Sequence, residues 1–332
     1  MLVARVRLLE VIQRGTAFLE ERGVESPRLQ VEWILAHHLR VPRLQLYLQF
    51  ERDLDGAPLD AVRESIRRGG RREPLQHILG TAVFCGLEFA VGTDVLVPRP
   101  ETEVLAEFAV RWLQARAAAA GASVSVLDWG TGSGCLAVVL AKRVPAARVV
   151  AVDRSSAALA RAVGNARRLE VEERVRWVEG NGCLALGPDE TFDLIVSNPP
   201  YIPSAEIATL APEVRDFDPR QALDGGADGL DFYRRLAEEL PVRLRPGGCA
   251  MLEFGDDQAG AIRSLWTAAG WIVDAVERDY SGRDRFLVAR RSACPIGVAA
   301  GAGSGAGVGT SSSEAVGTVA IRAEAEPGFG DG

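Results

Sequence analysis

Three short segments of the chain combine residue types and spacings that could handle a bound small molecule. The first is Val126-Leu127-Asp128-Trp129-Gly130-Thr131-Gly132-Ser133-Gly134, an apolar run that turns through Gly-x-Gly-x-Gly into a helical pattern. Glycines at a strand-to-helix turn accept positive φ and let a ligand approach the main chain, and the helix beyond offers free N–H groups. The spacing is not the dinucleotide Gly-x-Gly-x-x-Gly, and no Lys-Ser/Thr pair makes it a P-loop. Turn glycines with a purely structural task would read the same. The second is Asp153, which closes the next apolar run. An acid there can accept both hydroxyls of a ribose, or it can cap a helix starting near Ser155. The third is Asn198-Pro199-Pro200-Tyr201, directly after the run Phe192–Ser197. Two prolines fix the chain in an extended turn. At the C-terminal end of a strand, that turn can aim the Asn198 amide and the Pro199 carbonyl into the crevice of an open α/β sheet. Two such oxygens suit a planar NH2 group, which offers two donors, and Tyr201 can stack beside it.

The three segments together resemble the class I S-adenosylmethionine-dependent methyltransferases, and the Asn-Pro-Pro-Tyr form is that of the branch alkylating planar nitrogens. Further residues separate the members of that branch. Pro74-Leu75-Gln76-His77-Ile78-Leu79-Gly80, Phe84-Cys85-Gly86-Leu87-Glu88-Phe89 and Val95-Leu96-Val97-Pro98-Arg99-Pro100-Glu101-Thr102-Glu103 are similar to the signature of the release-factor glutamine methyltransferases, the HemK family. The resemblance covers residues 1–291, including Arg278-Asp279-Tyr280-Ser281-Gly282-Arg283-Asp284-Arg285. It implies transfer of a methyl group from S-adenosylmethionine to N5 of the glutamine in the Gly-Gly-Gln motif of peptide chain release factors. Gly130, Thr131, Gly132, Ser133, Gly134, Asp153, Gly182 and Asn198 would contact the cofactor. Asn198, Pro199, Pro200 and Tyr201 would receive the substrate, with Asn198, Pro199 and Tyr201 catalytic and no metal involved. Two positions depart from the family pattern. Trp129 stands where a small aliphatic residue is usual, and Gly180-Asn181-Gly182 replaces a Gly-Asp-aromatic turn flanking the adenine. Asn181 could still accept from the adenine amino group. These departures bear on cofactor affinity more than on reaction type.

The elements that must hold these segments follow from periodicity. Val6, Leu9, Ile12, Phe18 and Leu19, then Val31, Ile34 and Leu35, recur at helical steps, so residues 1–73 read as a small helical recognition domain. Short apolar runs separated by glycines between residues 74 and 100, Ile78-Leu79-Gly80 among them, suggest a β-hairpin linker. From Glu101 onward apolar strands alternate with helices: 124–129, 148–153, 175–179, 192–197, 249–254 and 286–289 are strands, with helices at 101–118, 133–143, 155–169, 228–244 and 257–269. That alternation means an α/β fold, a mostly parallel Rossmann-like sheet covered on both faces, over residues 101–291. Residues 292–332 hold 10 of the 35 glycines and read as a flexible, disordered Gly/Ala/Ser-rich tail.

Composition narrows the function classes. Basic and acidic residues number 38 and 45, a net charge of −7, and the last 41 residues carry −3 of it (Arg322 against Glu314, Glu324, Glu326 and Asp331). The remaining −4 gives no global basic footprint, so direct contact with nucleic acid is not expected. Lys142 is the lone lysine among the basic residues, a skew toward arginine that fits a GC-rich genome. Five scattered cysteines and three histidines, His37, His38 and His77, supply neither a zinc site nor a disulfide framework. Reduced thiols, the lack of a secretory h-region and the lack of a membrane span fit a cytoplasmic protein, expected as a monomer. Two other functions fit part of the pattern: methylation of a ribosomal-protein glutamine or an adenine, and a catalytically silent scaffold binding translation factors.

Overall fold

The computed structural model describes residues 5–291; the segment 292–332, expected above to be a flexible tail, lies outside them. Helices α1 (Leu8–Glu20), α2 (Pro27–Leu39) and α3 (Gly56–Gly70) pack around Leu8, Ile12, Leu19, Val31, Ile34, Leu35, Val62 and Ile66. Gly15 makes that packing close: a Cβ there would lie 3.0 Å from Ile66 and 3.1 Å from Val31. A two-residue antiparallel pairing of β1 (Val6–Arg7) with β2 (Asp53–Leu54) ties the first helix to the chain ahead of the third.

Ile78-Leu79-Gly80, expected as part of a hairpin, instead closes a short helix, α4 (Leu75–Leu79), with Gly80 in the left-handed conformation after it. Five apolar-rich residues suit a buried helical turn and a strand equally well, and packing of Ile78 into the helical core decides for the helix. One hairpin follows, β3 (Thr81–Phe84) with β4 (Leu87–Ala90).

The remaining elements are α5 (Pro100–Ala120), β5 (Val124–Trp129), α6 (Cys135–Arg143), β6 (Ala147–Asp153), α7 (Ser156–Arg168), β7 (Val175–Glu179), β8 (Phe192–Ser197), α8 (Pro212–Arg215), α9 (Asp231–Glu239), β9 (Leu244–Glu253), α10 (Ala259–Ala268), β10 (Trp271–Arg278) and β11 (Asp284–Arg291). The sheet order is β10-β11-β9-β8-β5-β6-β7. β5 to β9 pair in parallel, whereas β11 lies antiparallel between β9 and β10. This is the dinucleotide-fold order with one reversed strand inserted near an edge, the class I methyltransferase arrangement. β8 is buried along its whole length, with α5 on the side of Leu194 and Val196 and α9 and α10 on the side of Phe192 and Ile195, and its central residues Leu194–Val196 are all apolar. The order reverses between β5 and β8, and at that switch point the C-terminal ends of β5, β6 and β8 open a crevice.

Candidate active site

All three chemistry-bearing segments end at this crevice. It encloses about 1010 Å³ of non-atom space, its open mouth included. Gly130, Thr131, Gly132, Ser133, Asp153, Gly182, Asn198 and Pro200 line it, whereas Gly134, Pro199 and Tyr201 do not. Asp94, Leu96, Pro98, Arg99 and Thr102 form a further wall, contributed by the segment between β4 and α5 and by the first turn of α5.

The glycine loop is braced from beneath. Asp128 is fully buried, and its Oδ2 accepts from the Thr131 hydroxyl (2.6 Å) and from the Ala137 N–H (3.0 Å), which joins the loop to the first turn of α6. Burial pushes its carboxyl up to about 7, and its Oδ1 has no partner among the described residues. Gly130 and Thr131 donate to the Val152 carbonyl at the end of β6. Asn165 on α7 is also buried; its amide donates to the carbonyls of Ser133 and Ala90 while its oxygen accepts from the Ala90 N–H, so the hairpin and the loop share one anchor.

Asp153 links the glycine loop to the start of α7, while the cap of that helix is Ser155. Oδ2 accepts from the Gly132 N–H at 2.8 Å and Oδ1 from the Ser155 N–H at 2.9 Å, while the Ser155 hydroxyl caps α7 through the Ala158 N–H. Each carboxylate oxygen has two lone pairs, so one on each remains for a diol. Gly130 and Gly132 adopt φ of +77° and +55°, and a Cβ at either would meet nothing within 4 Å. Open space over a positive-φ backbone is what a closely seated ligand needs. Gly134 differs: a Cβ there would be 2.9 Å from the Ala162 side chain, so it serves the packing of α6 on α7. An open glycine cradle beside a diol acceptor at a switch point fits S-adenosylmethionine, which brings a methyl group activated on a sulfonium.

The two departures from the family pattern meet in space. The Trp129 indole, 5% exposed, lies under the turn Gly180-Asn181-Gly182, and a Cβ on Gly182 would be 2.5 Å from its Nε1. Phe232 packs edge-on against the indole at 5.7 Å, and the Arg235 guanidinium stands 5.3 Å from its ring centroid. Arg235 donates to the Asn181 carbonyl (2.6 Å), to the Asn181 side-chain oxygen and to Glu239, so the oxygen expected to meet an adenine amino group keeps one lone pair for it. Trp129 occupies the volume a side chain at 182 would need, and Gly182 at φ +64° is the residue that leaves it room.

Asn198 leaves β8 with its Nδ2 donating to the Thr102 hydroxyl at 3.1 Å. Among the described residues no donor is bonded to Asn198 Oδ1 or to the Pro199 carbonyl. Ser197 fixes the strand end by donating to the Trp129 carbonyl at 2.6 Å. Tyr201 turns away from the cleft: its ring covers Gly255, its carbonyl accepts from Gln258 Nε2 at 2.9 Å, and burial pushes its phenol up to about 12. Sequence reasoning missed Thr102 and Glu253, the latter 1% exposed at the end of β9. Thr102 had a signal in the Pro-Arg-Pro-Glu-Thr-Glu run; Glu253 looked like one more strand residue.

Comparison with known proteins agrees with this geometry. Residues 10–80 match the PrmC N-terminal domain, and residues 80–213 match the methyltransferase small domain. A release factor glutamine methyltransferase of Geobacter sulfurreducens is 46% identical over 85% of this chain and 95% of its own length. Those of Chlorobaculum tepidum (43%, covering 84% and 96%) and Rhodospirillum rubrum (41%, covering 85% and 85%) are similar along the same span. With relatives this similar over nearly their whole length, the chain belongs to the release factor glutamine methyltransferase family.

Proposed function

We propose that the protein transfers a methyl group from S-adenosylmethionine to N5 of the glutamine in the Gly-Gly-Gln motif of peptide chain release factors. The observation that carries this is the pair of unengaged acceptors, Asn198 Oδ1 and the Pro199 carbonyl, where the turn leaves the switch-point cleft. A primary amide presents two N–H donors, and two fixed acceptors can bind both. An amide nitrogen is a poor nucleophile because its lone pair is delocalised. Bonds to both N–H groups orient that nitrogen toward the methyl carbon and stabilise the positive charge that grows on it. The nitrogen–carbon bond forms as the carbon–sulfur bond breaks, and the alkylated nitrogen then loses a proton to solvent. Gly130 to Ser133, Asp153 and Gly182 serve the cofactor side, and Pro200 and Tyr201 hold the substrate turn rigid. Tyr201 does this from behind, through Gly255 and Gln258.

Residues 1–73 act as the domain that recognises the release-factor body, 74–100 as the linker and 101–291 as the catalytic domain. The protein works as a cytoplasmic monomer without contacting nucleic acid directly. Among the described residues no helix is long and apolar enough to cross a membrane. Incubation with labelled S-adenosylmethionine and a release factor should label the factor. A factor whose Gly-Gly-Gln glutamine is changed to alanine should stay unlabelled, and equal labelling of both would overturn the assignment.

A further inference from the structure

Thr102, Glu253 and Asn198 meet behind the acceptor pair, arriving from α5, the end of β9 and the turn after β8. Thr102 and Glu253 are 2% and 1% exposed, and Asn198 and Thr102 both line the cleft. Asn198 Nδ2 donates to Thr102 Oγ1 at 3.1 Å, and the Glu253 carboxylate lies within hydrogen-bonding range of the Thr102 hydroxyl and the Asn198 amide. Glu253 Oε2 is buried with no partner among the described residues. A side-chain amide has two faces of similar shape, and only its partners decide which way it points. Here they do decide. A hydroxyl has one proton, and an ionised carboxylate can only accept. Above about pH 7, where Glu253 is ionised, a Thr102 hydroxyl that turns its proton to the neighbouring carboxylate offers only lone pairs to Asn198. Asn198 must answer with Nδ2, which leaves Oδ1 outside the protein's own network.

We infer that Thr102 and Glu253 are positioning residues that lock the Asn198 amide with its oxygen presented to the substrate N–H. The inference rests on Asn198 receiving the target amide, as proposed above. Without the lock the amide can rotate and present Nδ2, a donor facing a donor. Burial raises the Glu253 carboxyl to about 7, opposed by donation from Thr102, the Arg285 charge on β11 and donation from Asn198, and reinforced by Glu101 on α5; the Tyr201 and Tyr233 hydroxyls also face this site. Below that pH a protonated Glu253 can donate to Thr102 itself and compete with Asn198.

Thr102→Val, Thr102→Ser and Glu253→Gln test the lock in the full-length protein. Misorientation of a substrate-holding group predicts that Thr102→Val lowers kcat by roughly 10- to 100-fold, with KM for the release factor and Kd for S-adenosylhomocysteine changed by no more than about threefold. Thr102→Ser, which keeps the hydroxyl, should return kcat to within about threefold of the wild type. The side-chain 15N–H2 signal of Asn198, assigned by its loss in Asn198→Ala, should titrate with a midpoint near 7 in the wild type and not in Glu253→Gln. Thr102→Val with wild-type kcat, or an Asn198 signal that titrates unchanged in Glu253→Gln, would overturn the lock. A wild type inactive on release factors would overturn the substrate assignment, and the nuclear resonance titration would still decide the lock.

Discussion

Gly182→Ala isolates the relation between the turn 180–182 and Trp129. Gly182 adopts φ +64°, and its missing Cβ would stand 2.5 Å from Trp129 Nε1 and 2.7 Å from an Arg235 guanidinium nitrogen. The left-handed conformation costs a residue with a Cβ about 1–2 kcal/mol. Arg235 can swing away at the expense of its bonds to Asn181, but the indole is held by Phe232 and buried. Forcing a methyl into such a packed contact costs about 1–3 kcal/mol. The sum for Gly182→Ala is a loss of about 2–5 kcal/mol. Trp129→Leu removes the obstacle and leaves the φ strain, so in that background the same change should cost only about 1–2 kcal/mol. Urea unfolding of the wild type, both single variants and the double variant gives the coupling directly, expected at about 1–3 kcal/mol. An identical cost of Gly182→Ala in the two backgrounds would refute the packing argument, because strain alone does not depend on residue 129.

Three further outcomes follow from the site. Asn198→Ala should reduce methyl transfer by about 10²–10³-fold, the loss typical of removing one preorganised polar contact, while isothermal titration shows S-adenosylhomocysteine bound nearly as before. Asn165→Ala leaves the Ala90 N–H and the Ser133 carbonyl without their buried partner and should cost about 2–4 kcal/mol, read as a lower unfolding midpoint. Asp128→Asn should stabilise the protein in alkaline buffer. The folded carboxyl ionises near 7 against 3.8 in the unfolded chain, so the folded state holds its proton longer and stability falls as pH rises between those values. Both bonds to Asp128 end on one oxygen, which an asparagine oxygen can replace. The gain should be about 1–3 kcal/mol at pH 8 and vanish below pH 4; a gain equally large at both would show that charge burial is not its source.

How much of this was written in the sequence depends on the range of the interaction concerned. β5 and β8 were readable because a strand buried on both faces is mostly apolar on both, and the glycine loop was readable because its positive φ values restrict residue type. β10 was missed for the opposite reason. It is the partly exposed edge strand of the sheet, and its register slips between Val273 and Ala275, so Trp-Ile-Val-Asp-Ala-Val-Glu-Arg carries no clean alternation. Asp153 was legible only as an alternative, ribose acceptor or cap, and its two oxygens take the loop and the helix start separately.

The coupled sites lay beyond any local pattern. Thr102 and Asn198 are 96 positions apart and Glu253 is further along, so no window of sequence contains the lock they form. Trp129 and Gly182 show why such pairs mislead when taken singly. Each alone departs from the family pattern in a direction that suggests damage, one residue too large and the other too small. In three dimensions the large residue fills the volume that the small one vacates, beside the same cleft. An aromatic wall is therefore kept near the cofactor crevice but grows from β5 instead of from the turn after β7. The pair is one exchange, and its parts should tolerate substitution together better than either does alone.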